Sequence, residues 1–329
     1  MKMRFSMSGS MEFRRIEPLV EVAQTLEALD FHAFYASDHL LGVSGWAADT
    51  PITDPWMLLG AIAMRTSRLR LGVMVSGVTY RYPVVLAKTA ATLDIVSGGR
   101  MELGSGAAWS KSDHAPFGLP FPPLRERQEM LAEAVEVIHG LYTQPVFSFS
   151  GKHYQVAEAA FEPKPVQAAQ PPFLIAAISE RGLDIAARRA LLWTSSMSTP
   201  ALARRCIATL HEKARGYGRD PAAIICGQSM PMLFTDSAAE ARAALAAQMR
   251  RIEGGITGPR SQLRNAVEGE SLEERAKGSL LVGDAAALRA QIRRYADAGV
   301  SHMVVRLPLP FDRALLERFR REVMSEFVD

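Results

Sequence analysis

Three consecutive pieces decide how this chain reads: Leu69-Arg-Leu-Gly-Val-Met-Val-Ser-Gly-Val-Thr-Tyr-Arg-Tyr-Pro83, Val84-Val-Leu-Ala-Lys-Thr-Ala-Ala-Thr-Leu93 and Asp94-Ile-Val-Ser-Gly-Gly-Arg-Met-Glu-Leu-Gly-Ser-Gly-Ala-Ala-Trp109. Leu69 to Val75 is a short apolar run rich in strand formers. Pro83 opens a helical pattern at a position where its missing N–H costs nothing. Ser97-Gly98-Gly99 stops that helix, and Met101 to Leu103 starts a second strand. Two strands joined by one helix form a parallel βαβ unit with a right-handed crossover. Both strands run out into small residues, Val75-Ser76-Gly77 and Gly104-Ser-Gly-Ala-Ala108, which give a flat ligand room to approach the backbone.

Working outward, the same alternation recurs. Further strands are predicted at 3–7, 31–36, 173–176, 191–195, 224–234 and 302–307, with helical spacing between them. Asp54-Pro55 and Thr199-Pro200 are helix starts, and Leu124 to Tyr142 is a helix with one apolar face. Residues 146–154 suggest a small β excursion, and the glycine-bearing stretch 254–278 suggests a polar insertion. Strands and helices alternate about eight times without a break in composition, which predicts a single (β/α)8 barrel domain over 1–329. A doubly wound open sheet is the competing architecture. In the barrel, the site lies where the strands end: Ser37-Asp38-His39, Val75-Ser76-Gly77, Gly104 to Trp109, Ala176 to Glu180 and Thr194-Ser195-Ser196.

Composition narrows the class. A net charge of +3 over 329 residues, with no clustering, gives no footing for nucleic acid. No apolar run approaches the roughly 20 residues that span a bilayer. The N-terminus leads into a strand-like piece, not a long apolar signal segment. A cytoplasmic protein without a membrane partner is therefore expected. Cys206 and Cys226 fit no metal or redox spacing and read as buried reduced thiols. The seven histidines show no zinc-binding spacing, so no metal is expected.

Asp38-His39 is the one acid–imidazole pair at a predicted strand end, suited to passing a proton or holding charge on a cofactor ring. The plainer reading makes Asp38 a loop cap and His39 a partly solvated side chain. Gly104-Ser-Gly-Ala-Ala-Trp109 lacks the third glycine and the distal acid of a dinucleotide fingerprint. It reads instead as a close backbone approach with Trp109 as a packing ring, or as a tight turn with a core tryptophan. Ala176-Ala177-Ile178-Ser179 precedes a helix start that offers N–H groups, and the Ser179 hydroxyl, to phosphate. An ordinary capped helix explains it equally well. The residues alone support an α/β barrel enzyme that binds a planar, phosphate-bearing ligand.

The motifs Arg81-x-Pro83, Leu86-Ala-Lys88, Ala91-Thr-Leu-Asp94, Ser97-Gly-Gly-Arg100 and Glu102-Leu-Gly-x-Gly106 resemble the luciferase-like monooxygenase superfamily. Phe117-Gly118, Arg125-x-Arg127, Gly151-Lys-His-Tyr154, Pro163-Lys-Pro165, Val282-Gly283 and Ala298-Gly-Val300 extend the resemblance over nearly the whole chain. Ser37-Asp38-His39 and Val75 to Arg81 look most like the branch that uses coenzyme F420, a deazaflavin. The resemblance implies cofactor contacts at Asp38, His39, Val75, Ser76, Gly77, Gly106, Ala107, Trp109, Ala176, Ala177 and Ser179. It implies a non-prolyl cis peptide at Val75-Ser76, with His39 and Asp38 as the catalytic pair. Trp109 stands where some relatives carry a glutamate proton donor, which disfavours sugar-phosphate oxidation.

Three functions follow as expectations. The first is hydride transfer between the deazaflavin and a small hydrophobic organic substrate. The second is an FMN monooxygenase supplied with reduced flavin by a separate reductase. The third, prompted by alanines where many relatives have two glycines, is a catalytically inactive flavin-binding barrel. Loops 40–53, 110–123 and 254–278, with Trp46, Trp56, Phe117 and Phe121, are the expected walls of the substrate pocket. A homodimer is expected from the resemblance.

Overall fold

The computed structural model describes residues 2–9, 14–42, 50–169, 171–253, 267, 269–307 and 312–328. Eight parallel strands form the frame: β1 (Arg4–Gly9), β2 (Ala33–Ala36), β3 (Arg70–Val73), β4 (Met101–Gly106), β5 (Phe173–Ala176), β6 (Leu192–Ser196), β7 (Ile225–Phe234) and β8 (His302–Arg306). Each pairs with the next in sequence, and β8 pairs with β1 through Arg4↔His302 to Ser8↔Arg306. The sheet is therefore closed, and the open-sheet alternative falls away.

Period-two alternation divides the core in two. Phe5, Met7, Phe34, Leu71, Val73, Leu103, Ile175, Trp193 and Val305 belong to the large apolar layer between barrel and helices. Ala33, Tyr35, Leu174, Leu192 and Val304 form a separate, smaller cluster that plugs the barrel interior. The filled lumen leaves the strand ends as the place for a ligand.

The helices start and stop where their end residues dictate. Helix α1 is Glu17–Ala28, and α2 (Pro55–Ala63) is capped by the Asp54 carboxylate accepting from the Met57 N–H at 2.9 Å. Helix α3 (Pro83–Ser97) has proline in its first turn and ends at Gly98, whose φ of +67° suits a residue without a Cβ. Helix α4 is Leu124–Thr143, α5 is Glu180–Arg189 and α6 is Pro200–Gly216. A two-stranded antiparallel excursion, Phe147–Ser150 with Gln155–Ala159, follows α4.

Three boundaries differ from expectation. Strand β4 runs through Gly106, so half of the expected glycine loop is strand. Helix α7 is Ala238–Glu253, and the expected insertion contains a further helix, α8 (Leu272–Lys277), secured by a Ser271/Glu274 capping box. Leu281–Gly283 is a short extra strand pairing with the end of β7. Helices α9 (Ala285–Asp297) and α10 (Arg313–Glu322) complete the ring. Cys206 and Cys226 are free buried thiols, as expected, and burial pushes them up to about 11 and about 12. Among the described residues, no helix is long and apolar enough to cross a membrane.

Candidate active site

Beyond the end of β2 successive side chains diverge, as in any extended segment. Asp38 turns into the protein and its side chain is wholly buried. Arg81 holds it through Nη2 at 2.8 Å and Nε at 3.1 Å. The Ser76 hydroxyl donates to it at 2.7 Å and itself accepts from the Trp56 indole N–H at 3.0 Å. The Tyr80 hydroxyl donates to the Asp38 backbone carbonyl at 2.6 Å. Asp38 thus pins the end of β2 to the segment after β3 and to α2.

His39 turns the other way. Its Nδ1 lies 2.8 Å from Oδ2 of Asp113, and its ring meets Trp109 edge-on, with centroids 5.4 Å apart. Asp113 sits in a single turn, Lys111–Asp113, and its Oδ1 accepts the N–H groups of Leu40 and Leu41 at 3.1 and 3.3 Å. Burial opposes ionisation of Asp113, but the hydrogen bond and charge of His39, with the loop donors, hold its carboxyl below the ordinary value. The expected pairing of Asp38 with His39 is not formed. Neighbours in extended chain face apart, and the imidazole's carboxylate comes from the loop after β4.

That loop is held firmly. His114 joins the Ser110 carbonyl at 2.7 Å and the Thr79 hydroxyl at 2.6 Å. Arg127 donates to the Ala107 carbonyl at 2.8 Å, with its guanidinium 3.9 Å from the centre of the Phe121 ring. Phe121 and Trp56 are therefore engaged in internal contacts, while Phe117 is exposed. Trp46, the remaining aromatic of the expected pocket wall, lies outside the described residues.

The non-prolyl cis peptide joins Met74 to Val75, one bond earlier than the resemblance implied. Met74 and Val75 pack on the interior cluster and form a shelf at the end of β3. A Cβ on Gly104 would lie 1.7 Å from the Val73 carbonyl oxygen, and one on Gly106 would lie 2.6 Å from Val75 Cγ2. These two glycines are required by the chain's own turn, whatever else approaches them. Ser76–Gly77 continues past the turn by pairing with Ser105 and Gly106.

At the end of β5, Ala177 gives its N–H to the Thr194 carbonyl at 3.2 Å, and its own carbonyl accepts the Trp193 indole N–H at 2.8 Å. Ser179 caps α5 by accepting the Gly182 N–H at 3.2 Å, and it accepts the Gln128 amide at 2.8 Å. Arg181 points to Glu129 at 3.2 Å. The side chains expected to meet a phosphate are thus engaged, which leaves the backbone donors of the first turn of α5 for an anion. Two surface cavities, of about 580 and 400 Å³, lie near the starts of β5 and β6 and beside α3, away from this rim. Among the described residues, no group of three or more His, Cys, Asp or Glu is placed to hold a metal.

A family described as luciferase-like monooxygenase matches residues 3–302. The chain belongs to this family. Within it, the chain is 29% identical over 314 residues to the F420-dependent glucose-6-phosphate dehydrogenase of Nakamurella multipartita, covering 93% of this chain and 91% of that one. Among solved structures, the chain is similar in fold to an F420-dependent secondary alcohol dehydrogenase in complex with an F420–acetone adduct (TM-score 0.82, 21% identity, 98% of both chains). The F420-dependent tetrahydromethanopterin reductase of Methanopyrus kandleri gives TM-score 0.82 at 20% identity, covering 99% of this chain and 100% of that one. These two likenesses establish the shared barrel. Sequence reading missed Asp113 and Gln128. Both lie far along the chain from their partners, and only the packing of neighbouring strands and helices brings them together.

Proposed function

We propose that this chain is a deazaflavin oxidoreductase that transfers hydride between coenzyme F420 and a hydrophobic organic substrate at the barrel mouth. The observation that carries the reading is His39, set at the end of β2 with Nδ1 on Asp113 and one ring edge against Trp109. Among the described residues, no hydrogen-bond partner reaches its Nε2.

The donor set fits such a cofactor. The Val75 shelf offers an apolar surface, Gly106 and Ala107 keep the end of β4 low, and α5 starts beside Ala176, Ala177 and Ser179. The bound deazaflavin would supply a ring carbon that takes or gives a hydride. Asp38 and Ser76 serve this reading as anchors of the rim, because their polar atoms are engaged inside the protein. The sugar phosphate of the named relatives is not carried over, since Trp109 occupies the place implied for a glutamate donor.

The test is titration of purified protein with the deazaflavin and with FMN, followed by quenching of ring fluorescence. Micromolar binding of the deazaflavin, tighter than FMN, is expected. The family's description favours the FMN reading as the second one, with a reductase partner. Tighter FMN binding, together with turnover that needs an added reductase, would replace the first reading. Binding of neither would favour an inactive barrel.

A homodimer forms part of the proposal. Helix α2 carries no charged residue and α3 only Lys88 and the buried Asp94; Met57 and Val85 stand exposed on them, and Met64 just past the end of α2. A second copy meets such a surface without like-charge repulsion. A monomer mass in sedimentation would remove this element.

A further inference from the structure

Asp113 has two oxygens with divided duties, and the division determines how His39 presents itself. Oδ1 is claimed by two backbone donors, the N–H groups of Leu40 and Leu41 at 3.1 and 3.3 Å. Oδ2 is left for the imidazole at 2.8 Å. An ionised carboxylate only accepts, so the neutral imidazole must carry its proton on Nδ1. The lone pair then lies on Nε2, at the ring edge away from Asp113. Two further contacts keep this geometry: Trp109 against the ring, and His114 tying the turn to Ser110 and Thr79.

We propose that Asp113 is the positioning residue of this site. It fixes His39 as the Nδ1–H tautomer, so that Nε2 acts as a proton acceptor toward a hydroxyl-bearing substrate. The inference rests on the function proposed above. The charged groups packed around the imidazole are consistent with it. Asp38 is neutralised by Arg81 on the far side of β2, and Tyr80 is kept protonated, first by burial and then by Asp38 and Asp113. Asp113 is therefore the ionised carboxylate in hydrogen-bond contact with the ring.

The decisive variant is Asp113→Asn. Asparagine has a single acceptor oxygen, and the Leu40 and Leu41 donors claim it. Its NH2 must then face Nδ1, which becomes an acceptor, and the proton moves to Nε2. Substitution of an orienting aspartate by asparagine is known to give the wrong tautomer in this way while preserving geometry. The readout is the 15N spectrum of the histidine-labelled full chain without cofactor, at alkaline pH. Wild type is expected to show His39 protonated on Nδ1, Asp113→Asn on Nε2, and Asp113→Glu again on Nδ1.

In the loaded enzyme, turnover of Asp113→Asn is expected to fall about 100-fold or more, within the range for loss of acid–base catalysis, with deazaflavin affinity changed less than about threefold. The same tautomer in wild type and Asp113→Asn, with both chains folded by circular dichroism, overturns the proposal. Failure of both chains to bind deazaflavin, with the tautomer exchange still seen, would instead sink the function proposed above and leave the positioning role intact.

Discussion

Among the described residues, one histidine–carboxylate pair stands at each end of the barrel strands, and the two behave differently. At the base, Glu102 is buried and receives His32 at 3.2 Å, Arg70 at 2.5 Å and the Tyr35 hydroxyl. Arg70 continues to Gln167 at 2.9 Å and Gln167 to Asp94 at 2.6 Å. His302 lies edge-on to His32 and bonds the Ser6 hydroxyl at 2.7 Å. Burial works against the Glu102 charge, yet His32 and Arg70 hold its carboxyl far below the ordinary value. At the rim, His39 and Asp113 repeat the pair at 2.8 Å, and among the described residues each pair leaves one imidazole nitrogen uncommitted, Nδ1 of His32 at the base and Nε2 of His39 at the rim. Residue type alone does not make a site. What matters is which end of the barrel the open position faces, because the strands deliver a ligand to their C-terminal ends.

The largest effect that would test this contrast is on stability. Glu102→Ala strands a partly exposed guanidinium and a buried phenol, so it should cost about 3 kcal/mol, the low end of the range for breaking a buried ion pair by removing one partner. Calorimetry or urea unfolding reads this directly. A loss below about 1 kcal/mol would mean that the base network is not structural. At the rim the balance reverses. His39→Gln should leave unfolding nearly unchanged and slow turnover by about 10²–10⁴-fold, the usual contribution of a positioned acid–base group. Unchanged kcat would take His39 off the catalytic list.

A pH effect separates the two ends next. Burial pushes the His302 imidazole down to about 3 from the ordinary 6.5. The unfolded chain then binds a proton that the folded one refuses. The stability from neutral His302 is fully present above about pH 6.5 and is lost as pH falls toward 3. Glu102 and Asp113, both depressed carboxylates, are stabilising above the unfolded carboxylate pKa and lose that contribution only below about pH 4. Urea midpoints at pH 7.5 and 5.0 should therefore fall in wild type and fall less in His302→Gln. Equal slopes would remove His302 as the cause.

The frame was legible because its signals are local. Pro83 and Gly98 bracket α3 whatever surrounds them, and 173–176 is a continuous apolar run, as a parallel strand covered on both faces should be. The rim was legible only in part. Asp38, His39 and Trp109 stand at strand ends, and the structure does bring His39 and Trp109 together. Asp38 looked like the partner of His39 because it is adjacent, but adjacency in extended chain separates side chains. Asp113 carries no local signal, since it lies in the loop after β4 and meets His39, after β2, only once the strands are assembled. The glycines of β4 suggested room for a ligand, whereas the room at Gly104 is filled by the Val73 carbonyl. A glycine reports a close approach but not by whom.

The smallest expected effect is the sharpest control on the contrast. His32 is partly exposed and is one of three donors to Glu102, alongside Arg70 and Tyr35. His32→Gln keeps a donor of similar reach, and Arg70 and Tyr35 still satisfy the carboxylate. The cost should be about 1 kcal/mol or less, the net worth of one hydrogen bond. Turnover should stay within about twofold of wild type, because the base touches neither substrate nor cofactor. Measured beside His39→Gln, the same substitution at the other end of the barrel, it isolates position from chemistry. A comparable loss of turnover in both would show that the two pairs are coupled through the barrel interior and that position at the rim does not distinguish them.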